Sequence, residues 1–241
     1  MTIPNTYSAT WHTVFGATLP EETTAREIEF LARTLPLPAY RTVLDVCCGS
    51  GRHLAGLSAL SYDMTGVERD PDIAQTAREA MPTVRVIEGD ANRLSELLTG
   101  RFDGLVCLWA SFGYGTPQQN VQLLESMAAI LRPGGRLVLD VYNRGFFDTH
   151  TGMRTIERGS RPIVEHTRLD GNRLSSTLDY GFGVADLFSW QVFTPDELVR
   201  VARSAGLSSM LVCAGFDETV PASSEHARMQ LVFERGQTRG V

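Results

Sequence analysis

Two glycines, Gly49 and Gly51, follow directly on an apolar run that ends at Cys47. Glycine has no Cβ, so the backbone at these positions can adopt left-handed dihedrals and approach a ligand closely. A helix that begins at Arg52 would present unpaired amides and a positive dipole end, which suit an anionic or carboxylate-bearing ligand. The segment predicts a loop that cradles a nucleotide, although a short G-x-G run is also typical of an ordinary turn.

Carboxylates follow the strands next to this loop. Glu68 closes a second apolar run about 20 residues further on, where nucleotide-binding folds carry the acid that holds the ribose. Asp90 follows a third run and Gly89. Asp45 lies inside the first run, and a buried strand seldom carries a carboxylate without a partner. We expect Asp45 to hold a cation or donor of the ligand, directly or through water.

The elements that position these residues alternate between strand and helix patterns, which predicts a parallel, doubly wound sheet. Its ligand crevice would lie beyond the carboxyl ends of the strands, near Asp45, Glu68, Asp90 and Trp109. Strands are predicted over 42–47, 63–68, 83–88, 103–109 and 136–142. Helices are predicted over 21–35, 52–60, 71–80 and 118–131, with a short helical turn near 93–98.

The pattern changes after residue 145. Polar and apolar residues alternate from 161 to 182 around Asp170-Gly171-Asn172, a hairpin signal, and another strand is predicted over 188–193. A helix with a capping box follows Thr194, and two antiparallel closing strands are predicted over 207–214 and 227–234. The predicted fold class is α/β, Rossmann-like and doubly wound: a mostly parallel seven-stranded sheet with an antiparallel edge and an inserted antiparallel β-hairpin.

Composition excludes several classes of protein. The 241 residues are 43% hydrophobic with a net charge of −6, so we expect a globular domain that binds no nucleic acid. Apolar runs are strand-sized and residues 1–20 resemble no signal peptide, which predicts a cytoplasmic protein without membrane contact. The four cysteines and five histidines lack metal-ligand spacing, so no metal is predicted. Arginines interleaved with acids predict a solvated hairpin face; they are Arg154, Arg158, Arg161, Arg168 and Arg173.

Five segments resemble, in order and spacing, the motifs of class I S-adenosylmethionine-dependent methyltransferases. The likeness is strong over residues 40–142. The SFGY segment, the insertion after the fifth strand and the size resemble small-molecule enzymes, namely TDP-aminosugar N,N-dimethyltransferases and, more distantly, glycine N-methyltransferases. Cys47-Cys48 departs from the small residue followed by Cys or Gly that is usual there. The segments are DVCCGSGRH at 45–53, GVERD at 66–70, EGDAN at 88–92, FDGLVCLWASFGY at 102–114 and LRPGGRLVLDV at 131–141.

The resemblance implies S-adenosyl-L-methionine as the cofactor. In the family an acid at the Asp90 position meets the adenine amino group, but Asp is also favoured as a helix cap. The N-terminal aromatic residues Tyr7, Trp11 and Phe15, at helical spacing, would form a cap over the cofactor or simply pack in the core. The implied cofactor-binding residues are Tyr7, Trp11, Asp45, Cys47, Gly49, Gly51, Glu68, Arg69, Asp90, Ala91 and Leu108.

The methyl acceptor is expected at the segment that follows the fourth strand, where Trp109, Ser111, Phe112 and Tyr114 would bind a small molecule. Tyr114 would orient the reacting group as the catalytic residue, although core packing remains the alternative for the aromatic residues. In these terms residues 1–241 form one domain. It comprises an N-terminal helical cap (1–40), a cofactor-binding core (41–142), an inserted β flap (145–192), and a closing helix and strands (193–235).

The expected reaction is methyl transfer to a nitrogen, or an oxygen, of a small metabolite, as in antibiotic biosynthesis. Nitrogen is favoured because a neutral amine needs no base and the sequence shows no convincing pairing of a histidine with an acid. Two alternatives stay open: a nicotinamide-dependent oxidoreductase, disfavoured by Asp45 and by Leu54 in place of a third glycine, and an inactive cofactor-binding homologue. The flap would cover the acceptor side or form a homodimer interface.

Overall fold

The computed structural model describes residues 5–16, 20–158 and 161–236. Within these residues, eight strands form a central sheet in the order β11-β10-β12-β5-β4-β1-β2-β3. The five strands from β5 to β3 are parallel, and β12, β10 and β11 continue the sheet with antiparallel pairing. The strands are β1 (Thr42–Val46), β2 (Asp63–Glu68), β3 (Arg85–Glu88), β4 (Phe102–Cys107), β5 (Leu131–Tyr142), β10 (Leu207–Ala214), β11 (Asp217–Pro221) and β12 (Arg228–Arg235).

This arrangement confirms the predicted Rossmann-like α/β sheet with an antiparallel edge, but the prediction of seven strands is one too few. The additional strand is β11, which pairs only with β10 at the margin of the sheet. Exposed and half-buried residues alternate along it, so its sequence lacks the apolar run of a buried strand.

The predicted inserted hairpin is also too small. Residues after β5 form a separate four-stranded antiparallel sheet in the order β6-β7-β8-β9, which we call the flap sheet. The turn at Asp170-Gly171-Asn172 joins its two central strands as predicted, and Gly171 has a positive φ of 59°. The strands are β6 (Gly152–Arg158), β7 (Arg161–Asp170), β8 (Arg173–Asp179) and β9 (Ala185–Gln191).

Helices cover both faces of the central sheet, and their starts follow sequence signals. The Asp70 side chain accepts hydrogen bonds from the amides of Asp72 and Ile73, so α4 begins at Pro71. Thr194 and Glu197 form the predicted capping box of α8. The α-helices are α1 (Ala9–Trp11), α2 (Glu21–Thr34), α3 (Arg52–Ala59), α4 (Pro71–Ala80), α5 (Leu94–Leu97), α6 (Pro117–Ile130), α7 (Arg144–Phe147) and α8 (Pro195–Ser204).

Arg173 attaches the flap sheet to the loop after β4. Its guanidinium donates to the carbonyls of Gly115 (2.8 Å) and Tyr114 (3.0 Å) and to the Ser189 hydroxyl (2.7 Å). The expectation of a solvated arginine face is therefore wrong for Arg173. The side chains of Arg158 and Arg161 lie outside the described part of the structure.

None of the described helices combines the length and the apolar character that crossing a lipid bilayer requires.

Candidate active site

The loop between β1 and α3 has the predicted left-handed glycines, with φ of 56° at Gly49 and 88° at Gly51. A Cβ placed on Gly49 would meet nothing within 4 Å, so open space lies beside the backbone there. Cys47 also has a positive φ of 65°, which is uncommon for a residue with a side chain. The loop presents its backbone closely to the crevice at the carboxyl end of β1.

Glu68 connects this loop to the end of β2. One carboxylate oxygen accepts a hydrogen bond from the Gly49 amide (2.9 Å), and the other accepts from the Asp70 amide (3.0 Å). A carboxylate offers about four lone-pair positions, so both oxygens keep capacity for hydroxyl donors. Glu68 therefore positions the glycine loop and can still bind the two hydroxyls of a ribose.

Asp45 is buried in the middle of the sheet, between β2 and β4. Its side chain is 2% exposed, and its Oδ2 atom finds no hydrogen-bond partner among the described residues. Burial raises the pKa of this carboxyl to about 8; Arg52 opposes the rise and Glu68 adds to it. A buried oxygen without a donor fits a ligand that brings one, and the amino group of S-adenosylmethionine is such a donor.

We expect Asp45→Asn to change the stability of the ligand-free protein in a pH-dependent way. Because the folded pKa lies above the ordinary value of 3.8, folding takes up a proton, and the stability of the unchanged protein falls as the pH rises from about 4 to about 8. The neutral variant avoids this penalty. Its melting temperature should gain on the unchanged protein between pH 5 and pH 8, by about 2–4 °C for each kcal/mol.

Asp103 supplies the matched control with the opposite sign. Hydrogen bonds from Thr42 and Arg132 outweigh burial and lower the pKa of Asp103, so its stabilising contribution is present above the ordinary pKa and is lost at low pH. Asp103→Asn should therefore lose the same stability at pH 5 and at pH 8, and less near pH 3. If the difference in melting temperature between Asp45→Asn and the unchanged protein did not depend on pH, the raised pKa of the buried carboxyl would be refuted.

Asp90 caps the short 3-10 helix over Ala91–Arg93. Its Oδ1 accepts from the Asn92 backbone amide and from the Asn92 side chain, both at 2.8 Å. The cap that the sequence offered as an alternative is therefore present. It uses one carboxylate oxygen, and contacts of Asp90 and the buried Ala91 with adenine stay predictions.

The N-terminal segment crosses the crevice. The Tyr7 hydroxyl hydrogen-bonds the Tyr114 hydroxyl, and Trp11 packs against the Tyr7 ring with centroids 4.5 Å apart. Arg69, after β2, donates to the Asn5 carbonyl and lies 5.8 Å from the Tyr114 ring centroid. The structure thus brings three predicted cofactor-binding residues, Tyr7, Trp11 and Arg69, together with the predicted acceptor residue Tyr114.

The tyrosine pair is uncharged at neutral pH. Burial raises the pKa of Tyr7 to about 12 and raises that of Tyr114 well above its ordinary value. The Cys47 thiol lies near enough to contribute to the raised pKa of both phenols. Neutral hydroxyls can donate as well as accept, so the pair can orient a polar group at this point of the crevice.

Trp109 lies in a network of charged side chains, and its role as a wall of the acceptor site stays a prediction. Its indole donates to Glu27 (2.8 Å), and two guanidinium groups lie over the ring, with the Arg52 Cζ 4.8 Å and the Arg228 Cζ 4.6 Å from its centroid. Its backbone amide donates to Asp140 (2.8 Å), and its φ is 56°. Trp109 therefore joins the loop after β4 to α2, α3 and β12.

The acids of this network were missed in the sequence. Glu27 is 1% exposed; burial opposes its ionisation, but hydrogen bonds from His53 and Arg52 outweigh burial and lower its pKa to about 2. Asp140, at the end of β5, pairs with Arg228 (2.9 Å). Asp140 carries the same signal as Asp45, a carboxylate inside an apolar strand. The network fixes the first turn of α3 against the neighbouring loops.

The remaining predicted residues have mixed placements. Phe112 is 2% exposed and stacks on Phe193 in the core, so core packing, the stated alternative, describes it better than a wall of the acceptor site. Leu108 is buried in the apolar layer that contains α2 and α3 residues. Ser111 is half-buried, and its amide donates to the Leu108 carbonyl. Of the four predicted acceptor residues, Tyr114 hydrogen-bonds the N-terminal aromatic segment, through Tyr7.

Comparison with known proteins agrees with this geometry. Residues 43–135 match the methyltransferase domain family. A dTDP-3-amino-3,4,6-trideoxy-alpha-D-glucopyranose N,N-dimethyltransferase of Streptomyces venezuelae is 29% identical over 62% of this chain and 63% of its own length, slightly under two thirds. A dTDP-4-amino-2,3,4,6-tetradeoxy-D-glucose N,N-dimethyltransferase of Saccharopolyspora spinosa is 28% identical over 76% of this chain and 77% of its own.

A solved structure shares the fold across nearly the whole chain. The S-adenosylmethionine-bound amino pentose methyltransferase CalS10 of Micromonospora echinaspora superposes with a TM-score of 0.71, covering 97% of this chain and 99% of its own, at 23% identity. The matched residues 43–135 contain the glycine loop, Asp45, Glu68 and Tyr114. The order of the motifs and the central sheet agree with the match of residues 43–135 to the methyltransferase domain family.

Proposed function

We propose that this chain transfers a methyl group from S-adenosylmethionine to an amino nitrogen of a small metabolite, an amino sugar of natural-product biosynthesis. The observation that carries the cofactor assignment is the unpartnered, buried Oδ2 of Asp45 beside the glycine loop, which suits the cofactor's amino group. The acceptor class is supported by the names of the two dimethyltransferase relatives.

S-adenosylmethionine supplies an electrophilic methyl group on a sulfonium. The acceptor nitrogen forms a bond to the methyl carbon as the carbon–sulfur bond breaks; the electron pair of that bond stays on sulfur, and the surplus proton on nitrogen leaves to water. The protein must align the nitrogen and exclude competing water. The Tyr7–Tyr114 pair supplies neutral hydroxyls for alignment, and the cap covers the crevice.

Ligand-induced stabilisation separates the cofactor classes. At 100 times its dissociation constant, S-adenosylhomocysteine should stabilise the protein by about 2.7 kcal/mol, whereas NAD(H) should leave the melting temperature unchanged. Mass spectrometry of an aminodeoxy sugar incubated with S-adenosylmethionine should then show the added methyl group. Stabilisation by NAD(H) alone would support the oxidoreductase alternative, and binding of S-adenosylhomocysteine without turnover of any amine would support an inactive homologue.

We expect Tyr114→Phe to lower kcat with an amine acceptor by about 2- to 10-fold, the equivalent of one hydrogen bond, and to leave the affinity for S-adenosylhomocysteine unchanged. Trp11→Ala should affect both quantities, because Trp11 packs on Tyr7 and the cap would close less well. Steady-state kinetics and calorimetric titration measure the two effects.

Tyr40→Phe is the matched control for the loss of a phenol hydroxyl. Tyr40 donates to the Gly134 carbonyl, before β1 and away from the carboxyl ends of the strands. Its replacement should change neither kcat nor cofactor affinity. Normal turnover in both Tyr114→Phe and Trp11→Ala would place the acceptor elsewhere.

A further inference from the structure

A cavity of about 250 Å³ lies between the end of β5, helix α7 and the inner face of the flap sheet. Tyr142, Phe146 and Trp190 line it with aromatic surface, and Arg154, Glu165 and Ser176 line it with polar groups. Enclosed apolar surface with a few converging polar groups is typical of a small-molecule site. The methyl-transfer chemistry proposed above leaves this cavity without a role.

The cavity is adjacent to the reacting position. The Tyr114 ring lies 5.8 Å from the Trp190 ring, and the Trp190 ring lies 4.9 Å from that of Tyr142, centroid to centroid. One aromatic ring therefore separates the cavity from the Tyr7–Tyr114 pair. A ring bound in the cavity would therefore lie within one aromatic ring of that pair.

The aromatic wall suits the face of a saturated ring. Tyr142 and Trp190 meet edge to face, with their planes at 76°. Phe146 stacks on His150 with centroids 4.1 Å apart. Aromatic faces pack against the C–H faces of a sugar or cyclitol, and they also favour a cationic ammonium.

The polar wall is built around a buried carboxylate. Glu165 is 8% exposed; one oxygen accepts from the Ser176 hydroxyl (2.8 Å) and the other from the Arg154 guanidinium (2.5 Å). These two bonds hold the carboxylate in place and leave lone pairs for further donors. Hydroxyl and ammonium groups are such donors, whereas phosphate oxygens accept.

The charges of the cavity disfavour a diphosphate. Arg154 is already paired with Glu165, and the other basic lining residue, His150, has its Nδ1 atom 2.9 Å from the Phe146 carbonyl. A phosphate here would face a buried carboxylate and compete for its only arginine partner among the lining residues. Arg154 is 66% exposed, but the Glu165 carboxylate is buried, and a buried carboxylate that loses its cation is costly. The volume of about 250 Å³ also suits one ring better than a nucleoside diphosphate sugar.

We propose that this cavity is the acceptor-ring subsite and that the acceptor is a hydroxylated amino sugar or aminocyclitol without a phosphate group. The inference rests on the proposed function and narrows its substrate class. It separates this chain from the two relatives named for dTDP-linked amino sugars. Methylation would then follow the class of reaction that removes the nucleotide, such as glycosyl transfer to a neutral aglycone.

A matched pair of acceptors tests the proposal: the methyl glycoside and the dTDP ester of 3-amino-3,4,6-trideoxy-α-D-glucopyranose, each with S-adenosylmethionine. We expect kcat/KM to be at least tenfold higher for the methyl glycoside. A preference for the dTDP ester overturns the proposal and leaves the methyltransferase function intact. Absence of both cofactor binding and methyl transfer would instead refute the proposed function.

Variants locate the site. Glu165→Gln should raise KM for the methyl glycoside at least fivefold, with kcat and S-adenosylhomocysteine affinity unchanged, whereas Glu157→Gln, exposed on the adjacent strand, should change none of these. The assignment is overturned if Glu165→Gln also lowers kcat and the affinity for S-adenosylhomocysteine to a similar extent, or if its KM is unchanged. Calorimetric titration of the methyl glycoside into the protein with S-adenosylhomocysteine bound tests the site without turnover. Failure of the methyl glycoside to bind also overturns the assignment.

Discussion

Gly51→Val is expected to reduce the affinity for S-adenosylhomocysteine by more than 100-fold. Gly51 has a φ of 88°, and a Cβ there would lie 2.1 Å from the terminal methyl carbon of Met81, which is itself buried. A β-branched residue adds about 1–2 kcal/mol of backbone strain in this region. The end of the Met81 side chain can move aside, but the strain at a φ of 88° remains, and because Gly51 precedes the first turn of α3 its relief displaces the cradle.

Gly206→Val is a control that adds the same kind of backbone strain without a contact to a neighbouring side chain. Gly206 has a similar φ of 79°, but a Cβ there would meet nothing within 4 Å. It lies between α8 and β10, so this control should lower the melting temperature and leave S-adenosylhomocysteine affinity unchanged. Gly51→Ala gives a milder test if the valine variant does not fold. Calorimetric affinity equal to that of the unchanged protein in a folded Gly51→Val would refute the cradle.

Local chemistry explains why much of the fold could be predicted. The helix start at Pro71 depends on Asp70, which caps the two following amides, and the predicted span 71–80 agrees with the structure. The left-handed loop depends on glycines that need no distant partner. Such signals act over a few residues, so one sequence contains them in full.

The predictions differ from the structure where a residue's contacts are distant along the chain or where turn-forming residues pair within a strand. β5 begins at Leu131 rather than at the predicted residue 136, because Phe102 pairs with Leu131 and the register then shifts before Gly104. Trp109 meets Glu27, which lies 82 residues away along the chain. Residue types near position 109 alone could not reveal this contact.

The candidate site also combines residues with local sequence signals and residues whose contacts are distant along the chain. Glu68 and Asp45 could be identified because their positions relative to the glycine loop are set by the βα repeat. The Glu165–Arg154 pair and its cavity depend on how the flap sheet meets β5 and α7, and the even mixture of charges along 154–173 gave no sign of an enclosed side. Alternating patterns indicate a strand but not the surface that covers it.

Glu68→Ala should weaken binding of S-adenosylhomocysteine by about 1.5–3 kcal/mol, or roughly 10- to 150-fold, because charge-assisted hydrogen bonds to the ribose hydroxyls are lost. The structure adds a second cause. The same carboxylate accepts from the amides of Gly49 and Asp70, so its removal also frees the glycine loop. Calorimetry measures the sum of the two effects.

A modified ligand distinguishes the lost ribose hydrogen bonds from the freed glycine loop. A 2′-deoxyribose analogue of S-adenosylhomocysteine should bind the unchanged protein more weakly than the parent compound, but Glu68→Ala should bind both compounds equally, since the carboxylate that reads the hydroxyl is gone. Glu88→Ala is the matched control: Glu88 pairs with Glu68 in register on β3, but its side chain is half exposed and its charge partner is Arg78 at 3.9 Å. Unchanged affinity in Glu68→Ala, or the same loss in Glu88→Ala, would remove Glu68 from the ribose site and leave it a structural link between the two loops.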